Sequence, residues 1–345
     1  MQKIGQAAPA LARAAPRARR VGVGRGLLCA WLCVATGCSL GKLAAGQLSL
    51  INGQRELGGA IASSADPQER ALLAQVPDVL AFAQEVVRLN VGKSYTGYFR
   101  TSRKGMTYVL TASERTRLAA YTWWFPVAGT VEYRSYFDEA DARAAQAQLM
   151  ARGYDTWVSP SRAYSTLGFF RDPVTTTMLH DGLPGLTEVL IHELAHVRLY
   201  VPGHTEWNEA LATFVGEEGA RRYFARPRFA GTGLAAQMQA HARRRHELDV
   251  LIAGACNELE RLYGSSAPDA RKLHDRQPVF DVLAHAVSRL YPDDDPASWR
   301  MNNARLVHFR RYSAGSAVVT RLWDESRHSW RAFWALADAH ARQLD

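Results

Sequence analysis

Two predicted helices decide the fold, and they lie in residues 186–213, LTEVLIHELAHVRLYVPGHTEWNEALAT. Apolar residues recur at helical spacing over about 186–200, and Pro202-Gly203 then ends the first helix. A second helix is expected over about 205–224, directly after this turn. Two antiparallel helices joined by a short turn bring their facing sides together, so both can contribute side chains to one site.

The first helix carries two histidines that are one turn apart. His192 and His196 are at positions i and i+4, so both imidazoles lie on one face of the helix. Two neutral imidazole nitrogens in this arrangement can bind one Zn²⁺ at about 2.0–2.1 Å. Glu193 follows the first histidine and lies beside the metal, where it can accept a proton from the attacking water and pass it to a leaving amine. The sequence therefore predicts one catalytic Zn²⁺ per chain, with Glu193 as general base and acid.

A catalytic zinc needs a third protein ligand, and Glu209 is the best candidate. It lies about one turn into the second helix, from where its carboxylate can reach the metal. His204 is an alternative that would give three histidine ligands. The metzincin pattern, however, has a glycine where Leu199 stands. Glu217 could orient a ligand or be a solvated charge, and Thr213 is the nearest hydroxyl that could support a ligand.

Peptide hydrolysis also needs a donor for the oxyanion of the tetrahedral intermediate. The candidates, in order of preference, are Tyr164, Tyr312 and His204. Tyr164 lies in a loop rich in Ser, Thr and Gly ahead of the zinc helix, and Tyr312 lies in the last predicted helical segment. Tyr200 is one turn past His196 and is expected to pack against the protein.

The N-terminus is typical of a secretion signal. An apolar run over residues 27–35 follows a basic stretch and is too short for a comfortable permanent membrane span. It ends in Ala-Thr-Gly-Cys at residues 35–38, which resembles the lipobox of bacterial lipoproteins, with Cys38 as the lipidated residue. We therefore expect a signal peptide over 1–37 and a single metallopeptidase domain over 38–345. The alternative is an N-terminal transmembrane anchor that is never cleaved.

Charge and cysteine content agree with an exported protein. The formal net charge is +9, but six cations and no acid precede residue 38, so 36 basic and 33 acidic residues follow it. This near balance argues against a nucleic-acid partner. Removal of the signal and acylation of Cys38 would leave Cys256 alone, without an intramolecular disulfide. We expect a lipid-anchored protein of the bacterial cell envelope that faces the periplasm. Ser39 favours the outer membrane, and the oligomeric state stays open.

The remaining chain predicts a mainly helical α+β fold with a small β-sheet before the zinc-binding helix. A helical pattern covers about 41–90. Runs of β-branched and aromatic residues predict strands near 106–110, 121–125, 130–133 and 154–158, with a helix over 138–152 between the last two. The pair Trp123-Trp124 is expected to be core on both faces of its strand, and a ligand platform is the alternative. Further helical segments are predicted over about 233–263, 268–291 and 302–342.

The zinc segments resemble those of the gluzincin peptidases, whose third ligand is the Glu of an N-E-x-x-A segment. Here twelve residues separate His196 from Glu209. Over nearly all of the chain after residue 37, the sequence resembles the bacterial putative aminopeptidase family of predicted zinc lipoproteins. The resemblance is carried, besides the zinc segments, by residues 37–38, 45–47, 125–129, 133–137, 163–168 and 302–306. It implies an exported, zincin-like peptidase with a peptide substrate. The chain lacks a G-x-M-E-N segment, which holds the substrate amine in larger aminopeptidases, so terminal and internal cleavage both stay open.

The expected function is zinc-dependent peptide hydrolysis, and two alternatives stay open. One is a zinc hydrolase of a non-peptide amide from cell wall or lipid. The other is a non-catalytic lipoprotein with a zinc helix kept for structure, against which Glu193 argues, since a structural zinc site has four protein ligands and no use for that carboxylate.

Overall fold

The helix pair around the two histidines lies at the centre of the fold. The computed structural model describes residues 45–125, 129–163, 166, 170–313 and 315–344. The predicted zinc helix, α5, spans Gly182–Arg198, and α6 spans Thr205–Phe224. The second predicted helix is therefore confirmed at both ends, whereas the first begins four residues earlier than predicted.

Helices dominate the described part of the chain. Besides α5 and α6 they are α1 (45–53), α2 (Leu57–Ser63), α3 (Pro67–Glu85), α4 (Glu139–Ala151), α7 (Leu234–Tyr263), α8 (Asp269–Leu290), α9 (Asn303–Ser313), α10 (Ser316–Glu325) and α11 (Trp330–Leu344). Short 3₁₀ turns cover Thr176–Leu179, Pro227–Phe229 and Pro296–Trp299. The strands are β1 (Arg55–Glu56), β2 (Gly97–Phe99), β3 (Thr107–Ser113), β4 (Trp123–Phe125), β5 (Gly129–Val131), β6 (Arg134–Tyr136), β7 (Asp155–Ser161) and β8 (Val174–Thr175). The expected mainly helical α+β class is confirmed.

Small sheets precede the zinc helix, as predicted. The main one is antiparallel, in the order β6-β3-β7, with Val109 opposite Ser135 on one side and Ser159 on the other. β1, β2 and β8 form a second sheet, and β4 pairs with β5. The core expectation for the tryptophan pair was wrong for Trp124, which is 70% exposed because its side chain points away from the half-buried Trp123.

The largest apolar cluster surrounds α5 and α6. It takes side chains from α2, α3, α10 and α11 as well. Leu190 and Leu194 of α5 are fully buried in it, so the apolar stripe of the zinc helix faces this core and fixes the orientation of its histidine face. A second cluster joins α7, α8 and α9, and a third lies between the main sheet and α4.

The helical segment predicted over 302–342 consists of three helices. Gly315 has φ +80° just before α10, a conformation that glycine adopts without a Cβ clash. Arg327 and His328, at φ +51° and +59°, form the turn before α11. These turns fold the last helices back onto the core around α6, which a straight helix could not do.

Several N-terminal expectations lie outside the described residues, namely the signal peptide, Cys38 and the boundary at residue 38. Tyr164 lies outside them too. Residues 46–345 cluster into one compact unit. Within the described residues, no helix combines the length and apolar character that crossing a membrane requires. Cys256 is buried on α7 as a free thiol.

Candidate metal centre

The two histidines of α5 are held at the edge of its buried face. His196 is 8% exposed and His192 is partly buried, so both rings are fixed by packing. Their Nε2 atoms lie 3.2 Å apart, and the ring planes are at 82° to one another. Both rings therefore direct a nitrogen to the same point, as the i, i+4 spacing predicts.

α6 packs closely enough to bring Glu209 to this point. A Cβ at Gly216 would lie 3.0 Å from the carbonyl oxygen of Glu188 and 3.2 Å from Cβ of His192. A Cβ at Gly219 would lie 2.9 Å from Ile191. The two glycines thus permit a helix separation that larger residues would not. Oε2 of Glu209 lies 3.7 Å from Nε2 of His192 and 3.8 Å from Nε2 of His196.

Asn208 fixes the turn between the two helices. Its side-chain amide donates to the carbonyl oxygen of Val201 and its Oδ1 accepts from the Val201 N–H, both at 2.8 Å. Asn208 is 1% exposed, so these bonds form away from water. The residue before Glu209 therefore sets the start of α6 and the approach of the carboxylate to the histidines.

The three donor atoms fit a zinc ion. With bonds of about 2.0–2.1 Å, tetrahedral ligands lie about 3.3–3.4 Å apart, and the observed separations are 3.2, 3.7 and 3.8 Å. A hydrogen bond between the two imidazoles would explain the 3.2 Å between their nitrogens, but it would not explain why a carboxylate lies close to both rings. Among the described residues, these three form the group of His, Cys, Asp and Glu side chains that could hold a metal ion.

Local electrostatics favours the protonation state that a metal ligand needs at two of the three donors, Glu209 and His196. Burial raises the pKa of Glu209, but contact with His192 and the charges of His196 and Arg311 outweigh it and bring that pKa to about 2. Burial lowers the pKa of His196 to about 4. Burial also lowers the pKa of His192, but Glu209 and Glu193 outweigh it and raise that pKa. At neutral pH Glu209 is therefore ionised and His196 neutral, as ligands must be.

Glu193 lies beside these donors and not among them. It is partly buried and lines a cleft of about 730 Å³ together with His192. Its charge contributes to raising the pKa values of His192 and of two buried tyrosines, Tyr95 and Tyr312. A carboxylate at the wall of the cleft, next to the donors, can exchange a proton with a molecule bound there.

α9 also lines the cleft and contributes Tyr312 and His308, one turn apart. Burial raises the pKa of Tyr312 and lowers that of His308 to about 3, so both are neutral at neutral pH. Nη1 of Arg311 donates toward Nδ1 of His308 at 3.5 Å, which leaves the proton on Nε2. Tyr312 was a sequence candidate, whereas His308 was missed. The sequence did carry a signal for it: His308 lies four residues before Tyr312, so the two side chains share a helix face.

Arg311 connects this helix to the sheet. It is 1% exposed, and its Nη2 donates to the carbonyl oxygen of Glu132 at 2.9 Å and to Oγ1 of Thr111 at 3.3 Å. Its guanidinium also lies 4.8 Å from the ring of Tyr133. α9 is therefore held against β3 with Tyr312 directed to the cleft.

Other sequence candidates lie elsewhere. His204 lines a separate cleft of about 360 Å³, together with Glu206 and His340. Glu217 has Oε1 at 3.9 Å from Nη1 of Arg245 and is not part of the metal group. Tyr200 packs beside His196, with ring centroids 6.3 Å apart.

Comparison with known proteins gives one family. A family model with the description "Putative aminopeptidase" matches residues 39–344. No curated protein and no solved structure matches the chain. The match spans the main helices, the sheets and all three metal donors.

Proposed function

The chain belongs to the family described as "Putative aminopeptidase", and from that premise we propose that it is a zinc-dependent peptidase with His192, His196 and Glu209 as metal ligands. Family membership supports peptidase-like activity in general. The observation that carries the zinc proposal is the convergence of two imidazole nitrogens and one carboxylate within 3.8 Å of one another at the wall of a large cleft.

Zn²⁺ bound there would act as a Lewis acid that lowers the pKa of water and polarises a peptide carbonyl. Glu193 accepts the proton of the attacking water and later delivers it to the departing amine. It is suited to both steps because it lines the cleft without competing for the metal. Among the described residues three protein donors converge, which is the pattern of catalytic zinc sites and not of structural sites with four protein ligands.

Two neutral donors on α9 face the same cleft. The Tyr312 hydroxyl and the Nε2–H of His308 can each donate a hydrogen bond to the oxyanion that forms on the substrate carbonyl. Both stay neutral because burial opposes charge on them. The sequence candidate Tyr312 therefore keeps its proposed role, and His308 joins it.

The function is tested by measuring zinc content and peptide cleavage on the purified full-length protein and its Glu193→Gln variant. We expect about one zinc per chain in both. In the variant, kcat should fall by at least about 100-fold, because a positioned general base contributes on the order of 10²–10⁴. Fragments from a mixed peptide library would be identified by mass spectrometry.

Glu206→Gln is the matched control. Glu206 is an exposed glutamate in the first turn of α6, outside the metal group, so its variant should keep both zinc and cleavage. A Glu193→Gln protein that retains most of its activity would contradict the proposed role. Full zinc loading without cleavage of any peptide would instead favour a non-peptide amide as substrate.

A further inference from the structure

The cleft beside the metal donors carries an excess of acidic groups. Five carboxylates line it against three guanidinium groups: Asp181, Glu188, Glu193, Asp249 and Asp294 against Arg162, Arg244 and Arg245. The chain as a whole has a net charge of +9, so this negative region is local. An excess of one sign of charge in a cleft favours ligands of the opposite sign. The lining thus favours a cationic group on the substrate.

Glu188 is the carboxylate best placed to receive such a group. It lies on α5 four residues before His192, and its side chain is 24% exposed. Among the described residues, no hydrogen-bond donor is directed at it, and the one basic atom within 4.0 Å is Nε2 of His241. Burial lowers the pKa of His241 below its ordinary value, so at neutral pH this ring is uncharged. Glu188 therefore presents a carboxylate without a close cation to the cleft.

The neighbouring arginines are engaged with other acids. Arg162 contacts the carboxylate of Asp181, and Nη1 of Arg245 lies 3.9 Å from Oε1 of Glu217. Burial raises the pKa of Glu188, and the charges of Arg245, His192 and Arg162 reduce that rise without cancelling it. The arginines therefore favour the ionised carboxylate at longer range, and among the described residues they donate no hydrogen bond to it. An ammonium group bound at Glu188 would favour the ionised form further.

We propose that Glu188 binds the free α-ammonium group of the substrate's N-terminal residue, so that the enzyme removes residues from peptide N-termini. This inference rests on the proposed peptidase function. The family description implies peptides with a free amine, and the inference names the residue that would recognise that amine. Glu188 is thereby a specificity-determining residue beside the metal ligands.

The spacing of Glu188 and His192 along α5 suits an α-ammonium. Four residues along a helix correspond to a rise of about 6 Å, which separates Glu188 from His192. An α-amine nitrogen lies about 2.5 Å from the carbonyl carbon of its own residue. A substrate with its first carbonyl at the metal thus places its ammonium within reach of a carboxylate one helical turn away.

The test compares matched peptides with free and N-acetylated termini on the wild-type protein and Glu188→Gln. We expect wild type to prefer free N-termini. In the variant, kcat/KM for free peptides should fall by about 10- to 100-fold, the value of a hydrogen bond to a charged group. Rates for acetylated peptides should change by less than about threefold. Gln keeps the size of the side chain, and thermal melting checks the fold.

Glu258→Gln is the charge control. It removes one exposed carboxylate of α7 that does not line the cleft and should keep the preference for free N-termini. If wild type and Glu188→Gln each cleave free and acetylated peptides equally well, the inference is overturned and the proposed peptidase function is kept. A loss confined to peptides with basic side chains, whether acetylated or not, would overturn it in favour of a side-chain subsite.

A binding measurement separates failure of this inference from failure of the proposed function. Calorimetric titration of the zinc-loaded Glu193→Gln variant with free and acetylated tripeptides should show tighter binding of the free form. The double variant that also carries Glu188→Gln should bind both forms equally. Wild type that cleaves no peptide while the binding preference for free termini is found would refute the proposed peptidase function and leave the ammonium subsite standing. If neither cleavage nor preferential binding is found, both are wrong.

Discussion

The chemistry of the cleft depends on keeping individual side chains in defined protonation states. Burial keeps the Tyr312 hydroxyl protonated and His308 neutral, and Arg311 donates toward Nδ1 of His308 so that Nε2 carries the ring proton. On the other wall, Glu209 is held ionised by the histidines and Arg311. The same low-dielectric environment therefore provides hydrogen-bond donors on α9 and an anionic metal ligand on α6.

At this scale, Tyr312→Phe should lower kcat by about 10²–10³, the range measured when one oxyanion donor is removed. KM and zinc content should change little, because the ring and the metal donors stay in place. Steady-state kinetics and metal analysis on the same preparation provide the measurement. Tyr154→Phe, which removes a hydroxyl in the cluster between sheet and α4, should leave kcat unchanged. An unchanged kcat in Tyr312→Phe would assign oxyanion binding elsewhere.

The candidate metal site needs both helices of the α5–α6 pair. α5 presents two donors on one face, but a third donor depends on how closely α6 packs. That separation is set by Gly216 and Gly219, whose missing Cβ atoms admit the backbone of α5, and by Asn208, which fixes the connecting turn. Close packing brings the Glu209 carboxylate within 3.8 Å of both imidazoles. The element pair, and not either helix alone, makes the site.

At the element scale, Gly216→Ala should weaken zinc binding by at least about tenfold. The added Cβ meets the backbone of Glu188 at 3.0 Å, so α6 must move outward by a few tenths of an ångström. Metal sites tolerate only about 0.2 Å in ligand distance. Overpacking should also lower the free energy of unfolding by about 1–3 kcal/mol. Chelator competition and thermal unfolding measure the two effects.

Gly254→Ala separates packing from helix propensity. Gly254 lies on an exposed face of α7, and a Cβ there meets nothing within 4 Å. That variant should keep zinc affinity and gain up to about 1 kcal/mol in stability from alanine's higher helix propensity. If Gly216→Ala also binds zinc like wild type, the separation of the two helices does not limit the metal site.

The whole molecule assembles its cleft from elements that are far apart in sequence. α5 and α6 supply the candidate metal donors, and α5, α7, α9 and residues 159–163 at the end of β7 line the cleft. Several apolar clusters hold these elements together, the largest around α5 and α6. The cleft carries negative charge on a chain of positive net charge.

At the scale of the molecule and its surroundings, we propose that Cys38 carries a lipid and that the protein faces the periplasm as a membrane-anchored lipoprotein. The apolar run over 27–35 and the small residues before Cys38 support this proposal. Expression of the full chain with a labelled fatty acid should label wild type and not Cys38→Ala. Detergent-phase partitioning should change in parallel.

Cys256→Ala is the matched control, since it removes the buried thiol of α7 and should leave lipid labelling intact. A Cys38→Ala protein that stays in the membrane without label would instead indicate an uncleaved N-terminal anchor. Labelling of Cys38→Ala at the wild-type level would contradict lipidation at this position.

Features with a local physical cause could be predicted from the sequence. Helical periodicity and the Pro202-Gly203 stop predicted α5, α6 and the shared face of the two histidines. The short turn between the helices made Glu209 the best third donor. The α+β class follows from runs of β-branched and aromatic residues ahead of helical segments, and the segment resemblance to the family agrees with the match over residues 39–344.

Other features depend on contacts between distant parts of the chain, and only the tertiary structure decided them. Periodicity over 302–342 gave no sign that Gly315 would turn the chain and divide the segment into three helices. In the sequence, nothing distinguished His308 and Glu188 from ordinary helical residues. His308 reaches the cleft because Arg311 and the sheet position α9. Glu188 is left without a close cation because the neighbouring arginines are engaged with other acids. Helical spacing sets which residues share a face, but which faces meet depends on packing energies summed over the whole core.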